Sequence, residues 1–245
     1  MAYIDISGVP HYYEWIVEEG ADTPSGNRPV MVFIHGGYFR ALDKKQYAYM
    51  ARAFVKKGVT LVLLNYDLAP AVTVKTIIEQ TLRGFSWVQA NIPRYQGNPH
   101  NITLCGHSVG AFLVAKILQQ SWPAEISQSI AGAVMLSGLY DLGPMRASFL
   151  NQTLNLSEGD VESLSPVYTN TVTTVPGIIA VGEKESDEFI RQSRDFYHKM
   201  KGEGHSFEYL LLDNKNHYTV SRQLSHVENL LMQRILSLVE GNDVG

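Results

Sequence analysis

The sequence predicts an α/β fold with a mostly parallel central sheet and helices on both faces. Three features predict it: six short apolar runs, longer segments of helical period between them, and a glycine-flanked serine at one strand-to-helix junction. The apolar runs at residues 30–34, 60–65, 102–105, 132–136, 178–181 and 207–212 read as buried strands. They are apolar throughout, as strands covered on both faces are, and do not alternate as half-solvated strands do. Residues 11–17 predict a further strand or hairpin, antiparallel, at the sheet edge.

Helical spacing recurs at residues 45–57, 74–90, 111–119, 188–201 and 220–239. The first of these ends in Lys56-Lys57-Gly58, which puts cations in the last turn and a glycine just past it, as a helix C-terminus prefers. Residues 144–168 are polar and lack a clean period where a crossover helix is due. They are expected to form a small cap-like insertion partly covering the site. The 245 residues fit a single domain, 1–245.

Composition narrows the function. Hydrophobic residues make up 45% and charged residues 18%, enough for a large core. A net charge of −4 gives no electrostatic footprint for nucleic acid or an anionic membrane, so neither is expected as a partner. A single cysteine, Cys105, excludes an intrachain disulfide. Without a CxxC or His/Cys cluster, neither a metal nor another cofactor is expected. The N-terminus shows no basic segment followed by an apolar run, and a cytoplasmic location is expected. Homo-oligomer formation is left open.

The chemistry centres on Gly106-His107-Ser108-Val109-Gly110. Gly-x-Ser-x-Gly is a weak signal alone, because glycine and serine are common. Here it sits between an apolar run and a helical one, where a sharp reversal would strain the serine and needs small flanking residues. Ser108 is the candidate nucleophile, presented at a helix N-terminus whose dipole favours developing negative charge. An acyl-transfer site also needs backbone donors for the tetrahedral oxyanion. The amide of Val109 is one candidate. The amides of Gly37 and Tyr38, in His35-Gly36-Gly37-Tyr38 after the first buried strand, are the others. Gly36 would shape the turn and His35 would brace the loop.

Eight histidines compete for the base. His217 alone lies in a loop after the last strand, where this order of elements places it; His205 precedes that strand, His226 falls in the final helix, and His198 reads as helix surface. For the acid, Gly182-Glu183-Lys184-Glu185-Ser186-Asp187 offers Glu185, three residues after the glycine. Asp187 is the rival, with helix capping as its other role, and Asp141 stands at a third position. Together the parts predict an α/β-hydrolase fold and a serine hydrolase.

Several blocks then resemble one family. His35-Gly36-Gly37-Tyr38-Phe39, Asn65-Tyr66-Asp67-Leu68-Ala69-Pro70, Ser137-Gly138-Leu139-Tyr140-Asp141-Leu142, the run from Glu185 to Ser193, and Asn216-His217-Tyr218 together resemble the eukaryotic-type kynurenine formamidases (arylformamidases) and related esterases. The resemblance implies cofactor-free hydrolysis of formate from N-formylkynurenine, a step of tryptophan catabolism. The expected partner is thus a small-molecule aryl amide or ester. Three positions depart from the family: Phe39 replaces Trp, Glu185 stands where Asp is usual, and Val109-Gly110-Ala111 replaces Ala-Gly-Gly. Val109 is expected to narrow the acyl site toward groups as small as formyl. Phe39, Tyr140 and Tyr218 are expected in an aromatic pocket wall. Two other readings stay open: a carboxylesterase for short acyl esters, and a non-catalytic hydrolase-fold binding module.

Overall fold

A computed structural model of the chain describes residues 2–5, 13–17 and 27–241. Its eight strands are β1 (Ala2–Asp5), β2 (Tyr13–Val17), β3 (Arg28–Ile34), β4 (Thr60–Leu64), β5 (Gly97–His107), β6 (Ile130–Leu136), β7 (Gly177–Gly182) and β8 (Phe207–Leu212). They form one sheet in the order β1-β2-β4-β3-β5-β6-β7-β8. The six strands from β4 to β8 in that order run parallel, and β1 and β2 are antiparallel at one edge. The expected edge strand at 11–17 is β2; residues 11 and 12 lie outside the described ones.

Along β3, Val30, Val32 and Ile34 point to one face while Met31 and Phe33 point to the other, and both sets are buried. The same division separates Val62 and Leu64 from Leu61 and Leu63 in β4. An all-apolar run is the only pattern that fills both faces, which is why these strands read as continuous hydrophobic stretches.

Helices α1 (Ala51–Val55), α2 (Val74–Asn91), α3 (Val109–Gln119) and the short α4 (Ala124–Ser127) follow the first strands. The insertion carries α5 (Gly143–Arg146), α6 (Asn151–Leu154) and α7 (Glu158–Leu164). Then come α8 (Asp187–Gly202), α9 (His217–Arg222) and α10 (Leu230–Val239). Side chains of α2, α3 and α8 fill one face of the sheet, and those of α1, α9 and α10 fill the other.

Three helical expectations change. Residues 44–50 form a tight 3-10 run, capped by Asp43, before α1 begins. The helix expected from 188 starts one residue earlier, with Ser186 at the cap position, so Asp187 is a first-turn residue and not a cap. The single helix expected over 220–239 is two helices. Asn216 caps α9 in a reciprocal capping box, and Asn229 caps α10 by accepting from the Met232 amide. A side-chain cap satisfies N–H groups that a continuous helix would bond internally, so an asparagine with a free oxygen begins a new helix there.

The order of strands positions the site. From β3 the chain moves outward to β4, then crosses back to β5 on the other side of β3. In such a sheet the crevice opens at the carboxyl ends of the two strands where the winding reverses. Ile34 pairs with Gly106, so the loops after β3 and β5 leave the sheet side by side.

Candidate active site

Ser108 occupies the junction between β5 and α3 with φ 59° and ψ −123°. A non-glycine residue there costs on the order of 1–3 kcal/mol and persists only where its surroundings hold it. Its amide donates to the Leu136 carbonyl (2.8 Å), and its carbonyl accepts from Ala111 (3.0 Å). The flanking glycines are sterically required. A Cβ on Gly106 would stand 2.2 Å from the Gly110 carbonyl oxygen, and one on Gly110 would stand 2.0 Å from that of Ile34. Gly110→Ala is therefore expected to destabilise the protein by about 1–3 kcal/mol, read as a lower denaturation midpoint. An unchanged midpoint would contradict this close approach of backbone to backbone.

The loop after β3 is packed against the serine. A Cβ on Gly36 would lie 2.9 Å from the Ser108 Cβ. Gly37 adopts φ 113°, where a Cβ would meet the Ala41 carbonyl oxygen at 2.0 Å, and Tyr38 and Phe39 follow with φ 51° and 61°. His35 braces the loop as expected of it. Its ring nitrogens lie 2.7 Å from the Gly36 carbonyl and 2.8 Å from Asn65 Oδ1, and its ring stacks on Tyr66 at 4.3 Å. The Tyr66 hydroxyl donates to the His35 carbonyl at 2.9 Å. Among the described residues, the amides of Gly37, Tyr38 and Val109 donate to no acceptor. An oxyanion between the two loops could take them.

His217 is the first residue of α9, directly after its Asn216 cap. Its Nδ1 lies 2.7 Å from Glu185 Oε2. The Glu185 side chain is fully buried, and its other oxygen accepts from the Ser137 hydroxyl (2.5 Å) and the Gly182 amide (2.8 Å). Three donors converge on this one carboxylate and fix its aim at the imidazole. A glutamate reaches here because its own chain folds back over Gly182, which uses the extra methylene. Asp187 is exposed in the first turn of α8, and no described donor meets its carboxylate. Asp141 Oδ1 accepts from the Gly143 amide two residues on, a local turn.

The imidazole of His217 is packed between Phe189 (ring centroids 4.3 Å) and His107 (4.6 Å). His107 was not anticipated as a site residue. Its Nε2 lies 2.8 Å from the His217 carbonyl, which can only accept, so Nε2 carries the hydrogen and Nδ1 is bare. Burial, and then the neighbouring His217, push its pKa down to about 3, so it stays neutral. His107 thus ties the strand end beside the serine to the backbone of His217. Ser137, Gln192 and Tyr47 were also missed. Gln192 is buried and accepts from the amides of Tyr140 (2.6 Å) and Asp141 (2.9 Å), which fixes the loop after β6.

Ser108, His107 and His217 border one cavity of about 230 Å³ with Gly37, Tyr38, Arg40, Ala41, Leu42, Tyr47, Tyr218 and Ser221. Ser108 is 2% exposed. Of the three aromatics expected on the wall, Tyr218 lines it. Phe39 lies instead in the core, edge-on to Phe112 at 5.3 Å, and Tyr140 stacks on Phe196 at 3.9 Å. The Val109 side chain also turns into the core and is absent from the lining, so its bulk does not border the acyl site. The insertion gives the lining no residue but reaches its rim through Phe149 and Thr153, which contact Arg40. His205 is buried beside Glu203, and His198 is exposed. His226 follows a 3-10 turn in the gap before α10. Among the described residues, no group of three or more His, Cys, Asp or Glu side chains is disposed to hold a metal, and no helix is long and apolar enough to cross a membrane.

A family model described as the alpha/beta hydrolase fold matches residues 31–221. Kynurenine formamidase of Salmo salar is 30% identical over 224 residues, covering 89% of this chain and 75% of that protein. Its namesake in Danio rerio is 28% identical over 217 residues, 86% of this chain and 73% of that one. An esterase structure from Pyrobaculum calidifontis superposes with a TM-score of 0.79 at 17% identity, over 98% of this chain and 85% of that one, a likeness of fold alone. With the crevice, the buried carboxylate–imidazole pair and these matches together, the chain belongs to the α/β-hydrolases, among the kynurenine formamidases and related esterases, and is a hydrolase of acyl or formyl substrates.

Proposed function

We propose that this enzyme removes a small acyl group, formyl above all, from an aryl amide such as N-formylkynurenine through an acyl-enzyme on Ser108. The observation that carries the reading is the 2.7 Å contact between His217 and the buried Glu185 carboxylate, in a cavity that His217 shares with Ser108. Glu185 holds Nδ1 protonated, which leaves Nε2 with its lone pair. His217 takes the Ser108 proton as Oγ attacks the formyl carbon, and the amides of Gly37, Tyr38 and Val109 receive the oxyanion. The C–N bond then breaks, and the leaving aryl amine takes the proton from His217. Water, deprotonated by His217, attacks the formyl ester, and formate leaves as Ser108 recovers its proton.

The formyl preference draws on the relatives, which bear the name kynurenine formamidase, and on the small cavity around a nearly covered nucleophile. A side-by-side assay of N-formylkynurenine and p-nitrophenyl acetate tests it. The expected result is a kcat/KM at least as high for the formamide as for the activated ester. A preference for the ester by orders of magnitude would make the enzyme a short-acyl carboxylesterase. Turnover of neither substrate would return the binding-module reading.

A further inference from the structure

Acyl transfer leaves one charge at the cavity mouth without a task. Among the described residues, Arg40 is the single lining residue with a permanent charge. Its Nη1 donates to Thr153 Oγ1 (3.3 Å), and its guanidinium carbon lies 5.7 Å from the centre of the Phe149 ring. Both neighbours are uncharged and belong to the insertion. Among the described residues no carboxylate lies within ion-pair distance of Arg40. Glu185, the acid paired with His217, has no exposed side-chain surface. A guanidinium has several N–H donors in a rigid fork, and Thr153 occupies one.

The surroundings of this cation are apolar and open. Tyr218 is 74% exposed, Phe149 68% and Leu42 41%, so three of the large apolar side chains left on the surface stand at one rim. Scattered singly, such residues would carry no message; gathered around a cavity mouth, they mark a surface to be covered by a ligand. An apolar wall with one unneutralised cation suits a ligand with an aromatic body and an anionic end. A planar fork favours a carboxylate in particular.

We propose that Arg40, braced by Thr153 and Phe149, is a carboxylate-binding subsite at the cavity mouth, placed to hold an anionic end on the portion of the substrate that leaves. This rests on the acyl-transfer reading of the same cavity only for where the anion sits on the substrate. Carboxylate binding itself stands apart from turnover. An amino-acid carboxylate, as on N-formylkynurenine, meets the requirement, and a simple alkyl ester does not.

The test separates the two levels. Ser108→Ala protein is titrated calorimetrically with hydrocinnamate and with its neutral amide, with Arg40 intact and as Arg40→Met and Arg40→Lys. Intact protein is expected to bind the acid about tenfold or more tighter than the amide. Arg40→Met should abolish that preference, Arg40→Lys should keep part of it, and raised salt should weaken it. Equal binding of acid and amide to intact protein, no measurable binding of the acid, or a preference that survives Arg40→Met would each overturn the subsite. With the serine present, the ratio of kcat/KM for meta-acetoxybenzoate over meta-acetoxybenzamide is expected to fall about tenfold to a hundredfold in Arg40→Met, mainly through KM. Failure of the unmodified enzyme to hydrolyse either compound strikes the acyl-transfer reading and leaves the titration to decide the subsite.

Discussion

Ser108→Ala is expected to lower kcat by roughly 10⁵–10⁶-fold on N-formylkynurenine or an aryl ester. No described residue hydrogen-bonds to the Ser108 hydroxyl, so the substitution removes one reactive oxygen and leaves the hydrogen bonds that hold the turn. Alanine meets the same positive φ with a side chain of nearly the same bulk, and the Gly106 and Gly110 contacts that shape the turn are untouched. The thermal midpoint should therefore stay within a few degrees while activity falls to the level that positioning and oxyanion donors supply alone. Retention of more than a tenth of the wild-type kcat would remove Ser108 from the chemistry.

Glu185→Gln is expected to lower kcat by roughly 10³–10⁴-fold, by the same logic that makes a triad acid matter. The carboxylate accepts from His217 Nδ1, the Ser137 hydroxyl and the Gly182 amide. A carboxamide has one oxygen and one NH₂ for the same three donors. If its oxygen stays with Ser137 and Gly182, the NH₂ confronts Nδ1 and drives the imidazole to the tautomer whose Nε2 cannot accept a proton. If it turns the other way, two donors are left facing an NH₂ inside the protein, and stability falls with activity. Asp187→Asn, at an exposed first-turn position, should leave kcat within about twofold. The opposite pattern would transfer the role to Asp187. Comparing kcat with chemical denaturation for both variants separates tautomer control from loss of fold.

The parts of the fold legible in the sequence were those whose signal is one-dimensional. Strands covered on both faces must be apolar at every position, and residues 30–34 and 178–181 are short, β-branched apolar runs of that kind. Glu185 and His217 could be found because their distances along the chain from Gly182 and from the end of β8 carry the geometry. Side-chain direction was another matter. Tyr38 and Phe39 both sit at positive φ, which reverses the alternation that a strand would continue and turns Phe39 into the core against Phe112. Tyr140 follows the positive-φ Ser137 in the same way and stacks on Phe196. Val109 falls on the inner side of a helix covered all round.

Contacts across the sheet edge were equally hidden. Ser137 reaches Glu185 from 48 residues away, and His107 reaches the His217 carbonyl from 110. Ser137 lay inside a block singled out by family resemblance and His107 inside the Gly-x-Ser-x-Gly pentapeptide, but the sequence holds no periodicity that pairs either with its partner. The break in the final helix was readable in principle from Asn229. An asparagine three residues before Met232, at the head of a new apolar stripe, is a helix start, yet the apolar spacing on either side masked it.

In the proposed mechanism Ser108 forms a covalent acyl-enzyme with His217 as its base. Incubation with a fluorophosphonate, followed by peptide mass analysis, tests it most directly, because the reagent reports on the activated serine whatever the natural substrate. One phosphonyl adduct on the peptide holding Ser108 is expected, formed at least about a hundredfold more slowly in His217→Ala and absent in Ser108→Ala. An unlabelled Ser108, or an adduct on any other residue at a comparable rate, would contradict it.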